Sequence, residues 1–507
     1  MTTFHRQKIL DMEGIRFPSK TYRELVLEPA YNNAKMNSIQ PMLQIHYAHL
    51  IMLYEEGIVN KEDAIQIVQS LKKIDVEEVK KRRYDSSYED LFFEIEHFLI
   101  EEGGEIAGNL HIARSRNDMG IAIYRMNLRK RLLNLIEASL HLRKSLNELT
   151  EEHLDTVMIG YTHTQQAQPT TLGHYFNAMT DMLTRDINRL MAAYNTVNQS
   201  SMGAAALTTS GFPINRQSVQ EMLGFEERID NAWDAVAGAD YIGETATSIQ
   251  LAAINLGRSM QDLLLWGTQE YGAFKLFSPY VQISSIMPQK QNPVSIEHMR
   301  SLLSGVVGDT QTVLTMMHNT PFGDIVDTED DMQPYMWKGM EKLESIYYLL
   351  SGVLMTMEVN KEKLYKRAKE SFANVTELAD TLVRTNNISF RKAHEIVSSS
   401  VKDLTSKGKE SLEEFHLSHL NDHAEKITGN KLNLTEKDLK DALDPKHFIN
   451  IRSLEGGPSP ERMKNTIEDR AQQQSHLNSW LQKKRDVLES ANKKINERIK
   501  RMVNHDK

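Results

Sequence analysis

Three polar stretches break the apolar rhythm of this chain, and each carries side chains suited to holding anions or moving protons. Residues 284–293 (SSIMPQKQNP) set paired serines, Lys290 and Asn292 in a loop punctuated by Pro288 and Pro293, with Glu297 on the helix expected next. Hydroxyl, ammonium and amide groups on a proline-pinned backbone can form an anion site. Residues 111–118 (HIARSRND) stand just ahead of a long helical segment. There Arg114, Ser115, Arg116 and Asn117 suit a carboxylate, because guanidinium forks match its oxygens and the free N–H groups of a helix start favour anions. The same residues also read as an N-cap with surface ion pairs. Residues 160–171 (GYTHTQQAQPTT) gather hydroxyls and amides around His163, an imidazole that either moves a proton near neutral pH or serves structure alone. No GxSxG elbow, HExxH pair or Walker A loop occurs, which disfavours serine hydrolases, zinc proteases and P-loop nucleotide hydrolysis.

Long helices must position these stretches. Leu128, Leu132, Leu135, Ser139, Leu142, Leu146 and Leu149 step by threes and fours along one stripe, with Arg129, Arg131, Arg143 and Lys144 placed elsewhere around the helix. The pattern returns at Ile249, Ala253, Leu256, Met260 and Leu263, and again at Val306, Thr310, Val313 and Met317. Stripes this long predict a helical bundle or coiled coil. Alternating strand patterns are scarce, so any sheet should be minor. The last part of the chain has shorter helical patterns, a Gly/Pro loop at 455–460, and a Lys-rich helix around 483–501 expected to be a solvated face.

Composition bounds the class. The chain has 507 residues, enough for about three domains or one large extended unit. A net charge of -9 gives no reason to expect non-specific nucleic-acid binding. Without any Cys there is no disulfide, thiolate metal site or cysteine nucleophile. The start, MTTFHRQKIL, lacks the marks of a signal peptide, and no stretch approaches the roughly 20 apolar residues of a membrane span. A soluble cytoplasmic protein that binds neither nucleic acid nor membrane is expected.

Together the three stretches resemble the signature regions of the fumarase/aspartase superfamily, and most closely those of the argininosuccinate lyase family. SSIMPQKQNP is similar to the superfamily signature, with the Gln after Met-Pro typical of that branch. HIARSRND resembles the branch's HTGRSRND, and GYTHTQQAQPTTLGH its YTH-containing motif. Further echoes are Tyr88-Glu89-Asp90, Asn231 with Asp234-Ala235-Val236, and residues 390–395 (FRKAHE). The resemblance implies a mostly α, three-domain fold: an N-terminal helical domain over 1–117, a central long-helix bundle over 118–362 and a small C-terminal helical domain over 363–507. It also implies a homotetramer with a twenty-helix core, whose active sites each combine stretches from three subunits.

The implied reaction is reversible β-elimination of an N-substituted aspartate to fumarate and an amine or guanidine, with no metal or organic cofactor. By motif match, Ser285 is the general base, and Lys290 and Asn292 hold the carboxylate and its developing charge. Ser115, Arg116, Asn117 and Thr162 bind the succinyl carboxylates, with Met287 also at the substrate. His163, oriented by Glu297, is the acid for the leaving nitrogen or a helper of the base. A carbanion forming beside a carboxylate is stabilised by delocalisation into it under fixed donors, and a serine base needs a nearby cation. The segment 278–293 is expected to close over substrate.

The match breaks at residues 324–334 (DIVDTEDDMQP), where Asp324, Glu329 and Met332 stand in place of the family's Tyr, Gln and Lys. In the family those positions help bind the arginine part of the substrate. Ala239 stands for a common Arg, and Ile283 for the usual Gly before the paired serines. Losing a Lys and gaining acids favours a more cationic amine; otherwise 324–334 is a solvated acidic loop. Three readings follow. The first is argininosuccinate as substrate, and the second is the same chemistry on another amine, as in lyases for aminopolycarboxylates such as ethylenediamine disuccinate. The third is a non-catalytic crystallin-like relative, which the retained Ser285, Lys290, Asn292, His163 and Glu297 argue against. Adenylosuccinate lyase and fumarase are minor alternatives. The chain is some 40 residues longer than the family leads one to expect, and the sequence assigns that surplus no role.

Overall fold

The structure is a computed structural model that describes residues 2–409, 411 and 414–504. Helices dominate it, and among the described residues the strands form only two-stranded sheets, as the scarcity of alternating patterns predicts. Near the N-terminus, α1 (Ile39–Glu55), α2 (Lys61–Lys72) and α3 (Leu91–Gly103) enclose an apolar cluster that includes Ile45, Leu50, Ile67, Phe92 and Leu99. α1 is apolar on nearly every side and is buried accordingly. The side chains of Asn60 and Asp90 cap α2 and α3 by accepting the backbone N–H groups of Asp63 and Phe93.

The central helices are longer. They are α4 (Arg116–Glu152), α5 (Leu172–Val197), α6 (Asp240–Trp266), α7 (Val294–Met317) and α8 (Gln333–Thr356). α4 has 37 residues, roughly 55 Å at 1.5 Å per residue. Every residue of its predicted stripe is buried, and the stripes of α6 and α7 are buried too apart from a half-exposed Met317. All three join one cluster with Phe176, Met336, Leu343 and Leu350. Truncating a fully buried leucine here, such as Leu132→Ala, removes about 2–5 kcal/mol. Between α4 and α5 lies the hairpin of β1 (Val157–Thr162) and β2 (Gln165–Thr171), and ahead of α7 a second hairpin pairs β3 (Gln282–Ile283) with β4 (Gln291–Asn292).

Toward the C-terminus, α9 (Val375–Asn386), α10 (Phe390–Ser406) and α11 (Leu417–Thr428) pack around Leu378, Leu382, Ile396 and Leu420. The last helix, α12 (Pro460–Asn504), does not join that cluster but runs along α4 and α1. One expectation changes here. α12 is not a fully solvated face, because Leu481, Ala491, Ile495, Ile499 and Met502 are buried. Arg129 and Arg143, which lie off the apolar stripe of α4, are covered as well. Arg143 donates to Gln473 and Gln474 of α12 and to Thr184, while Arg129 donates to Asn198 and the Leu223 carbonyl, and both are buried. A helix more than 300 residues away in sequence covers that side of α4, which no local periodicity reveals.

Candidate active site

The stretch 111–118 is held in place from below. Ser115 caps α4: its backbone N–H donates to Asp118 Oδ1 at 2.9 Å, and its Oγ accepts from the Asn117 N–H at 3.3 Å. Asp118 is fully buried, and its other oxygen accepts the Gly203 and Ala205 N–H groups at 2.9 and 3.0 Å. Burial pushes its carboxyl up, against the pull of those three N–H donors and Arg114. Arg114 is itself buried, donating to His46 Nδ1 on α1 at 2.9 Å, while His49 Nε2 meets the Ile112 carbonyl at 2.8 Å. Arg114 therefore anchors the stretch to α1 and does not join a carboxylate cradle. Desolvation and the Arg114 charge hold both imidazoles far below the usual histidine range.

What faces outward is the other half of the stretch. Arg116 Nη1 lies 2.7 Å from Asp90, with its guanidinium over the Phe93 ring. Asn117 Nδ2 donates to Asp324 Oδ2 at 2.7 Å, so the divergent acidic segment packs on the cap of α4 and is not a detached loop. Glu329 lies beside Asp324 and is held well above the usual carboxylate range, first by burial and then by Asp324 and Asp330. Tyr124 of α4 donates to Asp330, whose carboxyl burial also raises. Solvent still reaches Glu329 and Asp330 from one side. The segment is also pinned by Trp233, whose Nε1 donates to the Phe322 carbonyl at 2.9 Å. Sequence reasoning missed Asp118, His46 and Tyr124. Ser115-x-x-Asp118 is a capping-box pattern that could have revealed Asp118, whereas two histidines on an apolar helix carry no such signal.

His163 and Thr164 form the two-residue turn between β1 and β2, both with positive φ, at 53° and 62°. Such a turn fits the twist of a hairpin, though Gly or Asn adopts it at less cost than His or Thr. The hairpin base is anchored through Val157 and Ile159 against Ala368, Ala373 and Ile449, while Thr162 and His163 at its tip are exposed. A cavity of about 580 Å³ flanks it, lined by Thr162, Gln168, His174, Arg452 and Glu455 among others. A larger one of about 800 Å³, between α1, α4 and α12, contains no residue of the three stretches.

In the third stretch, Ser284 Oγ accepts the Ile286 and Met287 N–H groups at 3.4 and 3.1 Å, and the Lys290 N–H donates to the Met287 carbonyl at 3.0 Å. These bonds turn the loop and leave Ser285, Met287 and Lys290 exposed, with Asn292 half-buried where β4 leads into α7. Glu297 lies exposed in the first turn of α7. The side chains of Ser285, Lys290, Glu297 and His163 make no hydrogen bond or ion pair with the described residues of this chain. A single chain thus brings Arg116, Asn117, Asp324 and Glu329 together, but joins neither Ser285 to Lys290 nor His163 to Glu297.

Comparison with known proteins defines the class. The family model described as Lyase matches residues 41–308, and that of the argininosuccinate lyase C-terminal region matches residues 372–450. The protein is a carbon–nitrogen lyase. Argininosuccinate lyase 2 of Agrobacterium fabrum is 38% identical over 451 residues, covering 89% of both chains. The chain belongs to the argininosuccinate lyase family. EDDS lyase, solved in complex with formate, superposes with a TM-score of 0.86 at 31% identity over 97% of this chain and 96% of its own. The class II fumarase of Schistosoma mansoni shares the fold at 15% identity, with a TM-score of 0.66 over 81% of this chain and 90% of its own. No described helix is long and apolar enough to cross a membrane.

Proposed function

We propose that this lyase eliminates fumarate reversibly from an N-substituted aspartate, with argininosuccinate, split to arginine and fumarate, as the first substrate to test. Ser285 Oγ takes the proton from carbon β, and the electron pair moves into the neighbouring carboxylate. Lys290 and Asn292 stabilise that charge, the C–N bond breaks, and His163, oriented by Glu297, gives a proton to the leaving nitrogen. Ser115, Arg116, Asn117, Thr162 and Met287 hold the succinyl half. The observation that carries this reading is the turn of residues 284–290, which presents Ser285 and Lys290 outward on one short loop.

On this reading the site is completed between subunits of a cytoplasmic homotetramer. Ser285, Lys290, His163 and Glu297 find no side-chain partner among the described residues of their own chain, and Leu251, Ile254 and Leu302 leave an apolar face of α6 and α7 exposed. Such a face suits a symmetric interface. Incubation with argininosuccinate, followed by fumarate absorbance, tests the reaction: no fumarate from it, or from any N-substituted aspartate, would overturn the proposal.

A second reading keeps the chemistry and changes the amine. It is favoured by the hydrogen bond from Asn117 to Asp324, with Glu329 beside Asp324, which sets two carboxyls where the amine half would lie. The likeness to EDDS lyase agrees with it. Adding fumarate to a panel of amines and scoring products by mass separates the two, since robust use of arginine alone would exclude the second.

A further inference from the structure

Away from these stretches, two helices of the C-terminal region converge three donors of the metal-binding kind. Asp403 on α10 and His419 and His423 on α11 bring one carboxylate oxygen and two imidazole nitrogens within 4.8 Å of one another. The two histidines are four residues apart and so share a face of α11, the spacing by which a helix offers two imidazoles to one ion. From this geometry we propose that Asp403, His419 and His423 bind a divalent ion of the zinc type, with water in the fourth position.

An ordinary ion-pair cluster explains less of the arrangement. Asp403 Oδ2 lies 2.5 Å from His419 Nε2, a complete hydrogen bond, and the second imidazole adds none, since His423 Nε2 stands 4.0 Å from the same oxygen. Bonds of about 2.0–2.1 Å to a tetrahedral ion set its donors about 3.3 Å apart, between these two distances. The shorter contact need only open and the longer one close, each by less than 1 Å on that geometry. The rings stand 5.0 Å apart at 79°, so they do not stack. Their side chains are 19% and 17% exposed and that of Asp403 31%, which leaves an entry path and room for water.

Two features oppose the ion and set its expected strength. Lys407 Nζ lies 2.6 Å from the same Oδ2, so the ammonium must leave as the ion enters; its side chain is 57% exposed and can do so into solvent. Nδ1 of His419 is buried with no hydrogen-bond partner among the described residues. When Nε2 turns to the ion, the ring proton moves to Nδ1 and finds no acceptor, which weakens a site about 10- to 100-fold. The site therefore binds the ion reversibly. It ties α10 to α11 and takes no part in the elimination chemistry. Among first-row ions it follows the usual order for imidazole and carboxylate, with Zn²⁺ above Co²⁺.

The test is a Co²⁺ titration of the chelator-stripped full-length protein, read by the visible bands of a tetrahedral ion and repeated in competition with Zn²⁺. One equivalent per chain is expected, with affinity at least tenfold weaker in His423→Gln and the bands absent in the His419→Gln, His423→Gln double variant. Lys407→Ala removes a competitor and no ligand, so it must tighten binding. Equal Co²⁺ binding with and without the two imidazoles, or unchanged affinity in Lys407→Ala, overturns the proposal. Circular dichroism of each variant confirms that it is folded.

Discussion

Two regions of the molecule carry the candidate chemistry, and they are built in opposite ways. The entrance of α4 is over-determined: Asp118 accepts three N–H groups, Arg114 is locked to His46, and Asn117 meets Asp324. The 284–290 loop is turned by bonds within itself and the His163 turn sits at the tip of its hairpin, with their reactive side chains exposed. Ser115 and Asn117, proposed to hold the succinyl half, are fixed within one chain, whereas the groups proposed to move protons are presented outward for others to meet. Binding geometry gains from pre-organisation, while a mobile loop can close and exclude water at the moment of reaction.

The comparison breaks first at Ser285. Ser285→Ala should lower kcat by about 10³-fold, within the span of general-base catalysis, while Tm and KM stay near wild type, because the side chain supports nothing in the fold. Steady-state kinetics beside a thermal melt give both numbers; full activity in the variant would remove the serine base. Asp118→Asn should do the reverse. An amide turns a donor toward one of the N–H groups that the carboxylate accepted, at a cost of about 2 kcal/mol in denaturant unfolding, and KM should rise more than kcat falls as the cap of α4 shifts.

The third way to sharpen the contrast concerns choice of amine. If Asp324 and Glu329 attract a cationic leaving group, the Asp324→Asn, Glu329→Gln pair should shift the ratio of kcat/KM between a cationic and an uncharged amine by roughly tenfold, about 1.4 kcal/mol. An unchanged ratio would return the segment 324–334 to a structural role.

Legibility in the sequence follows the same division. The stripe of α4 from Leu128 to Leu149 could be read because periodicity is local, and the 284–293 loop because its residue types are unusual together. The burial of Arg143 could not be read, because the helix that covers it is α12, far along the chain. Arg114 was misread because an arginine beside a helix start looks the same whether it faces a substrate or a histidine underneath. The contact between Asn117 and Asp324 bridges two stretches whose spacing says nothing of their meeting.

The smallest expected effect, and the one most specific to the acidic segment, is a pH dependence. Burial and the neighbouring Asp324 hold the Glu329 carboxyl above its ordinary value of 4.5. In the window from that value upward, the folded protein keeps a proton that the unfolded chain has lost, so stability falls as pH rises until the folded carboxyl ionises as well. Glu329→Gln keeps the shape without the ionisation, and its Tm should vary less with pH across neutrality than that of the wild type. A bound cation favours the ionised carboxyl, so a cationic amine should bind the wild type a few-fold more tightly as pH rises through the same window, with release of a proton. Calorimetry in buffers of different ionisation enthalpy measures that proton directly. A release equal in wild type and Glu329→Gln would place the proton elsewhere and detach Glu329 from amine recognition.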